Sequence, residues 1–279
     1  MSSYIEETTR IIKSGSVASG HELLEQCLKS WEGKPSSRAA CCLALKNFTE
    51  HAVVRHNMPA SWMVTQTSIK ELRGRTTEKR TKAVLEDQEL LDFIDAINER
   101  NHAWANVIRT LALFGMRPIE LQYLTPRIDE YGVLRVWCSY SKVSGPNKSH
   151  AGWLVPVPLE SANGQKVQWD IPEELEDGSL QLPIGRNGEF RKLNGRFVLN
   201  FLQVQPEWIR LKQKYEKKGL WLRPYTFRDS YSSRCHRYGM EYAQICRAMR
   251  HSESAHSRAY RTATDKTMFD AFDQLNSAT

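Results

Sequence analysis

Long apolar runs are absent from this chain of 279 residues: none approaches the roughly 20 residues that a membrane-spanning helix needs. The first residues, MSSYIEETTRIIKSG, include acidic side chains and contain no apolar stretch, so the sequence predicts no secretory signal peptide. The mean hydropathy of the chain is −0.54. These absences predict a folded cytoplasmic protein with no membrane partner.

Cysteine is scarce and carries no metal-binding pattern. The six cysteines form no CxxC pair and no Cys/His spacing typical of zinc, so we expect reduced thiols and no structural metal. A Walker-type phosphate loop is also missing, as is an acidic cluster spaced for a two-metal nuclease. The sequence therefore predicts no cofactor and no metal. The cysteines are Cys27, Cys41, Cys42, Cys138, Cys235 and Cys246.

Acidic residues are outnumbered, with 32 Asp and Glu against 39 Lys and Arg, which gives a net charge of +7. The excess is concentrated at the two ends of the chain: residues 1–82 hold 13 basic and 8 acidic side chains, and residues 204–262 hold 13 and 5. Two basic lobes suit a protein that grips a DNA duplex from two sides. Solvated helix faces would produce the same imbalance, so charge alone leaves both interpretations open.

Helix-spaced apolar residues dominate the sequence. Residues 1–72 read as short helices separated by Gly and Pro, which predicts a small N-terminal helical bundle. The basic, polar stretch 73–87 (RGRTTEKRTKAVLED) is the best candidate for a linker. Residues 88–279 predict a second, mostly helical domain with a small antiparallel sheet, from strands near 131–143 and 153–159. The expected fold class is therefore mainly α.

Two segments carry residues suited to phosphate chemistry. In LALFGMRPIELQYL (111–124), Arg117 follows a glycine turn and Glu120 is spaced to orient it by a salt bridge; an ordinary helix-terminal ion pair would look the same. In the segment 223–264, Arg228 begins one helix, His251 follows the next, and Tyr260 comes nine residues later. Taken alone, that segment also fits a basic helical hairpin with a core tyrosine.

Together, the two segments resemble the tyrosine recombinase (phage integrase) family, which shares its catalytic fold with type IB topoisomerases. The family's first motif, T-G-L-R-x-x-E-L-x-x-L, is matched at Gly115, Arg117, Glu120, Leu121 and Leu124. The second, H-x-L-R-H followed by a glycine and L-G-H-x-x with a tyrosine nine residues later, is matched at Arg228, Gly239, His251 and Tyr260. The resemblance covers about residues 85–275 and implies a SAM-like, core-binding N-terminal bundle followed by the catalytic domain.

The resemblance also implies a role for each matched residue. Tyr260 would attack the scissile phosphate and form a 3′-phosphotyrosyl ester, releasing a 5′-hydroxyl. Arg117 and Arg228 would hold the phosphate oxygens, and His251 would hydrogen-bond the phosphate. A lysine in a β-hairpin would protonate the leaving oxygen, and Lys142 in SYSKVSG fits that place.

Three positions leave a choice open or depart from the pattern. Lys148, across the same turn, is the weaker alternative to Lys142. Tyr225 stands where the family has a histidine or lysine, and tyrosine, with a pKa near ~10, is a poor proton acceptor. Whether Tyr225 supports or impairs catalysis is not decided by the sequence. Arg250 replaces the glycine of L-G-H, and the sequence indicates only that it adds positive charge.

The function that the resemblance implies is site-specific DNA recombination or integration, as in a mobile element, by a homo-tetramer on two double-stranded DNA sites. If the source is bacterial, the protein would associate with the nucleoid. One alternative is a type IB topoisomerase-like enzyme that relaxes DNA as a monomer. Another is a DNA-binding protein of the same fold with impaired catalysis, which the tyrosine at position 225 motivates.

Overall fold

The computed structural model describes residues 3–74, 80–142, 149–185 and 193–260. The chain divides into two compact units, Met1–Lys79 and Arg80–Thr279. Helices predominate in both, and the strands form small sheets, so the expectation of a mainly α fold is confirmed. No helix in the described ranges is both long enough and apolar enough to cross a membrane.

The first unit is a bundle of four helices and a short 3₁₀ turn. A core of leucines and cysteines lies between the helices; Leu23, Leu24 and Cys41 are almost fully buried. The Ser19 side chain accepts a hydrogen bond from the backbone N–H of Glu22, which satisfies a free donor at the start of the second helix. The helices are α1 (Ser3–Lys13), α2 (Gly20–Lys29), α3 (Pro35–His56) and α4 (Gln66–Leu72), with the 3₁₀ turn at Ala60–Trp62.

The second unit contains eight further α-helices among the described residues. They are α5 (Asp87–Asn98), α6 (His102–Phe114), α7 (Ile171–Glu176), α8 (Gly195–Leu202), α9 (Pro206–Glu216), α10 (Thr226–Arg237), α11 (Tyr242–Ala248) and α12 (Glu253–Tyr260). Helix α6 is apolar on nearly every side, and α5 and α10 pack against it. Val107, Ile108 and Leu111 are therefore inaccessible to solvent. This helix is the centre of the unit, and its last residue leads directly into the candidate site.

A three-stranded antiparallel sheet lies in the same unit, in the order β2 (Leu124–Ile128), β3 (Leu134–Cys138) and β4 (Gly152–Trp153). Thr125 pairs with Trp137, which pairs in turn with Trp153. The sequence predicts a strand near 131–143, where β3 lies, and a return strand over 153–159 that is longer than β4; it gives no indication of β2. The return strand is short because Pro156 and Pro158 cannot donate to a ladder.

The start of the second unit corrects the predicted linker. Strand β1 (Thr81–Lys82) pairs in parallel with β7 (Leu220–Trp221), and Ala83 and Leu85 are buried in the core. Residues 80–87 therefore belong to the second unit, because four of them pair or pack there, and only part of the range 73–87 lies before it. Two short strands, β5 (Leu159–Glu160) and β6 (Lys166–Val167), form a separate hairpin.

Candidate active site

The site begins at the turn that ends helix α6. Gly115 has a φ of +57°, a left-handed conformation that disfavours side chains. A Cβ at this position would also lie 2.3 Å from Cγ of Tyr231, whose ring packs against the turn. Glycine is therefore required both for the backbone conformation and for space. The turn places Arg117 at the start of the 3₁₀ helix Pro118–Tyr123.

Arg117 is held by Glu120. Nη1 of Arg117 lies 2.7 Å from Oε1 of Glu120, and the backbone N–H of Arg117 donates to Oε2 at 2.8 Å. Glu120 is completely buried. Burial raises the pKa of its carboxyl group, but the nearby positive charges of Arg250, Arg228 and Arg117 outweigh this and lower the pKa overall. The carboxylate is therefore ionised and fixes the arginine from two directions.

Arg228 is buried at the start of helix α10. Its Nη1 donates to the carbonyl oxygen of Gly115 at 2.6 Å, and its Nη2 donates to the carbonyl oxygen of Met249. These bonds tie the end of α6 to the end of α11 through one guanidinium group. The adjacent Asp229 is also buried and forms ion pairs with Arg223 at 3.3 Å and Lys82 at 3.9 Å.

Two histidines meet beside these arginines. Nε2 of His251, just after α11, lies 2.9 Å from Nδ1 of His256 on α12. Burial lowers the pKa of His251 to about 3, with further lowering by Arg228 and by His256 itself. Burial likewise lowers the pKa of His256 to about 4. Both rings are therefore neutral at pH 7, and one nitrogen donates to the other.

Tyr260 is the last residue of helix α12, four positions after His256. Its side chain lies outside the part of the chain that the structure describes. Because residues four apart lie on one face of a helix, the helix backbone places Tyr260 on the same face as His256. The predicted nucleophile is thus carried by the helix that bonds to His251.

The remaining predicted residues lie on two other segments. Lys142 is exposed and pairs with Ser149 in an isolated antiparallel bridge, its N–H donating to the Ser149 carbonyl oxygen at 2.9 Å. Lys142 therefore lies in the connection between β3 and β4, beyond the paired residues of the two strands, while Lys148 lies outside the described residues. Tyr225 precedes α10, is 38% exposed, and has the guanidinium of Arg223 over its ring at 5.4 Å.

The sequence does not predict the part that three residues play in the site. Arg250 is buried and lies 2.7 Å from Glu120, although the sequence indicates only an extra charge. His256 bonds to His251, and no motif marks it. Lys82 lies within the predicted linker, yet its charge contributes to lowering the pKa of both histidines after burial and Arg228. The one available signal was the arginine at a glycine position of the family pattern.

The described residues contain neither a metal-binding cluster nor a disulfide. Among the described residues, no group of three or more His, Cys, Asp or Glu side chains could hold a metal ion. The six cysteines are buried and unbridged.

The fold of the chain is known from its similarity to solved structures. The chain matches no protein-family model and no curated protein sequence. Among solved structures, it is similar to a lambda integrase (75-356) dimer bound to a COC′ core site, with 13% identity, a TM-score of 0.55, and coverage of 90% of this chain and 88% of that one. It is also similar to a lambda integrase tetramer bound to a Holliday junction, with 12% identity, a TM-score of 0.55, and coverage of 89% and 67%. The chain therefore has the fold of the tyrosine recombinases.

Proposed function

We propose that this protein is a site-specific DNA recombinase that cleaves and rejoins strands through a 3′-phosphotyrosyl intermediate. The observation that carries the proposal is the gathering of Arg117, Arg228 and His251 at the ends of three helices, with Tyr260 on the adjoining helix α12. Two rigidly held guanidinium groups beside a neutral imidazole suit a phosphodiester in its transition state. The fold supports the same conclusion.

The proposed cleavage step balances without a cofactor. The Tyr260 oxygen forms a bond to phosphorus, and the bond to the 5′-oxygen breaks. Arg117 and Arg228 stabilise the charge that develops on the non-bridging oxygens. Lys142 gives its proton to the leaving 5′-oxygen, while the phenolic proton leaves to water. Attack by the 5′-hydroxyl of another strand reverses the step.

We propose double-stranded DNA as the substrate and a homo-tetramer on two sites as the active assembly, acting in integration or excision of a mobile element. The similarity to lambda integrase structures bound to a core site and, as a tetramer, to a Holliday junction supports this assembly. A DNA substrate would place the protein in the cytoplasm, on the nucleoid in a bacterium. The net basic charge of residues 1–82 and of residues 204–262 favours a polyanionic partner.

The test is covalent trapping. Nicked duplexes tiled across the DNA that flanks the protein's own gene should include one that traps a protein–DNA adduct, because the nick lets the 5′-hydroxyl fragment diffuse away. Tyr260→Phe should bind the same duplex and form no adduct. Tyr131→Phe is the matched control: Tyr131 is an exposed tyrosine between β2 and β3, away from α12, and the loss of its hydroxyl should leave the adduct intact.

Each supporting role has its own variant. Arg117→Ala and Arg228→Ala should each lower the cleavage rate by about 10²–10³, the scale for losing one preorganised donor. Lys142→Ala should also lower the cleavage rate. A substrate with sulfur in place of the 5′-bridging oxygen should restore the cleavage rate of this variant, because a thiolate leaves without a proton. If Lys148→Ala shows that rescue and Lys142→Ala does not, Lys148 is the acid.

A second candidate function is DNA binding without catalysis, which Tyr225 favours because it replaces a basic residue of the family. Equal binding of site DNA by the wild-type protein and Tyr260→Phe, with no adduct from either, would support it. Relaxation of a single supercoiled plasmid without strand exchange between two sites would instead indicate a type IB topoisomerase-like activity.

A further inference from the structure

Arg250 occupies a backbone position that disfavours arginine. It follows helix α11 with a φ of +52°, and the only other non-glycine residue with positive φ in the described ranges is Asn57. Asparagine tolerates the left-handed region, whereas a long side chain is strained there. The family pattern has glycine at this position, which avoids the strain. An arginine therefore needs a compensating role for its side chain.

The side chain of Arg250 is buried against three other segments. Its Nη2 lies 2.7 Å from Oε1 of Glu120, and its Nη1 donates to the carbonyl oxygen of Cys138 at 3.3 Å. Its Cδ lies against Gly152, where an added Cβ would make ordinary van der Waals contact at 3.5 Å. Arg250 thus connects the end of α11 to the 3₁₀ helix of Arg117 and to the β3–β4 hairpin that leads to Lys142.

The charge balance around Glu120 explains why this contact matters. Oε1 of Glu120 lies 2.7 Å from both Nη1 of Arg117 and Nη2 of Arg250. The positive charge of Arg228 also acts on this carboxylate and is present with or without Arg250. Without Arg250, Glu120 would cancel much of the charge of its contact partner Arg117, and the site would attract a phosphate more weakly. With both arginines, two positive charges share one negative charge, so the triad carries a net charge of +1. Burial strengthens this effect because water screens it little.

We propose that Arg250 is a positioning residue for DNA cleavage. It binds the Glu120 carboxylate so that Arg117 is held in place and keeps its positive charge for the scissile phosphate. The inference rests on the proposed function, in which Arg117 contacts that phosphate. It assigns to Arg250 no contact with DNA; its effect passes through Glu120.

The first test measures single-turnover cleavage of a trapping duplex at saturating protein. Arg250→Gly restores the family's glycine and removes the backbone strain, so the variant should fold, yet its rate should fall about 10–100-fold, as for a small misplacement of a catalytic group. Arg250→Lys keeps the charge and should retain more activity than Arg250→Gly. Arg196→Gln, which removes an exposed positive charge from helix α8, outside both basic lobes and the site, should cleave like the wild type.

A second substitution separates charge balance from simple packing. In the Arg250→Gly background, Glu120→Gln should increase the cleavage rate, because it removes the negative charge that cancels the charge of Arg117, while the Gln carbonyl oxygen still accepts a hydrogen bond from Arg117. In the wild-type background, the same change should lower the rate. Wild-type cleavage by Arg250→Gly, or a further loss when Glu120→Gln is added to it, would overturn the inference.

An activity-independent measurement distinguishes failure of this inference from failure of the proposed function. Inorganic phosphate, at fixed ionic strength against chloride, should raise the thermal unfolding midpoint of the wild-type protein. The shift should be smaller for Arg250→Gly and recover in the double variant Arg250→Gly/Glu120→Gln. Equal shifts in all three proteins would overturn the inference. Absence of an adduct from the wild type, with the predicted shifts present, would count against the proposed function alone.

Discussion

Replacing Gly115 by alanine should destabilise the protein strongly, because two costs coincide at this turn. The left-handed φ of +57° costs a side chain about 1–2 kcal/mol. The new Cβ would lie 2.3 Å from Cγ of Tyr231, an overlap that forces repacking worth about 1–3 kcal/mol. Alanine also lowers the conformational entropy of the unfolded chain, which stabilises the folded protein by about 0.4–1 kcal/mol. We expect a net loss of about 2–4 kcal/mol in the free energy of unfolding.

Gly132→Ala is the matched control for this prediction. Gly132 lies in the same unit with a φ of +79°, and a Cβ there would meet nothing within 4 Å. That variant should lose only the conformational part, about 1 kcal/mol. Urea denaturation of both variants measures the difference, which isolates the overlap with Tyr231. Equal losses in the two variants, or a loss below about 1 kcal/mol for Gly115→Ala, would refute the reasoning.

Gly115→Ala should also slow the formation of the covalent protein–DNA adduct. The carbonyl oxygen of Gly115 accepts the bond from Nη1 of Arg228, so any shift of the turn moves an arginine that we propose to hold the scissile phosphate. At a temperature where Gly115→Ala is still folded, its rate of adduct formation should be lower than that of Gly132→Ala. Comparable rates would show that Arg228 keeps its place without the turn.

Three further outcomes are expected. DNA affinity should fall steeply with salt, by about 10³–10⁵ between 50 and 200 mM for 6–10 phosphate contacts, and a flat response in a filter-binding titration would contradict the proposed role of the two basic lobes. Tyr225→His should speed cleavage if Tyr225 impairs the proton transfers. An unchanged or slower cleavage rate would show that Tyr225 performs the role of the family's histidine. Asp87→Asn should lower stability by about 3–5 kcal/mol in urea denaturation, because Asp87 is buried between the side chains of Arg234 and Arg237 and its charge compensates the fully buried Arg234.

Local patterns in the sequence predict much of the fold and part of the site. The three-residue spacing of Arg117 and Glu120 is enough to suggest their ion pair, and the structure contains it. Helix-spaced apolar residues likewise identify α6, in which Leu111 follows Ile108 by three positions and Val107 by four. These predictions succeed because the interacting residues are neighbours along the chain.

The features that could not be predicted from the sequence depend on contacts between residues that are distant along the chain. Arg250 meets Glu120 across 130 positions, and nothing in either segment specifies the partner. Strand β1 lies in a polar, basic stretch that reads as a linker, and its pairing with β7 is determined by the rest of the unit. Strand β2 follows Pro118, which suggests the start of a helix; a 3₁₀ helix does form, but it ends at Tyr123. Tertiary context decides each case.

The pair His251 and His256 should make the stability of the protein depend on pH below neutrality. Their pKa values are lowered by burial first, to about 3 and about 4, from an ordinary value of 6.5. Above pH 6.5 both rings are neutral in the folded and unfolded chain, so neither affects stability. Below it, the unfolded chain binds protons that the folded protein excludes, and the free energy of unfolding therefore falls as the pH falls toward those two values.

His256→Gln tests this dependence directly. At pH 5.5 each histidine should cost at most about 1.4 kcal/mol relative to pH 7.5, since one pH unit of differential proton binding has that value. The variant removes one of these groups, so its loss of stability between pH 7.5 and 5.5 should be smaller than that of the wild type by about 1 kcal/mol. Glu120, whose pKa is lowered by Arg250, Arg228 and Arg117 against the effect of burial, contributes only below its ordinary value of 4.5, outside this window. Urea denaturation at the two pH values gives the comparison. Identical losses in wild type and variant would mean that His256 binds a proton in the folded protein, and the neutral pair joining His251 to the helix of Tyr260 would then be wrong.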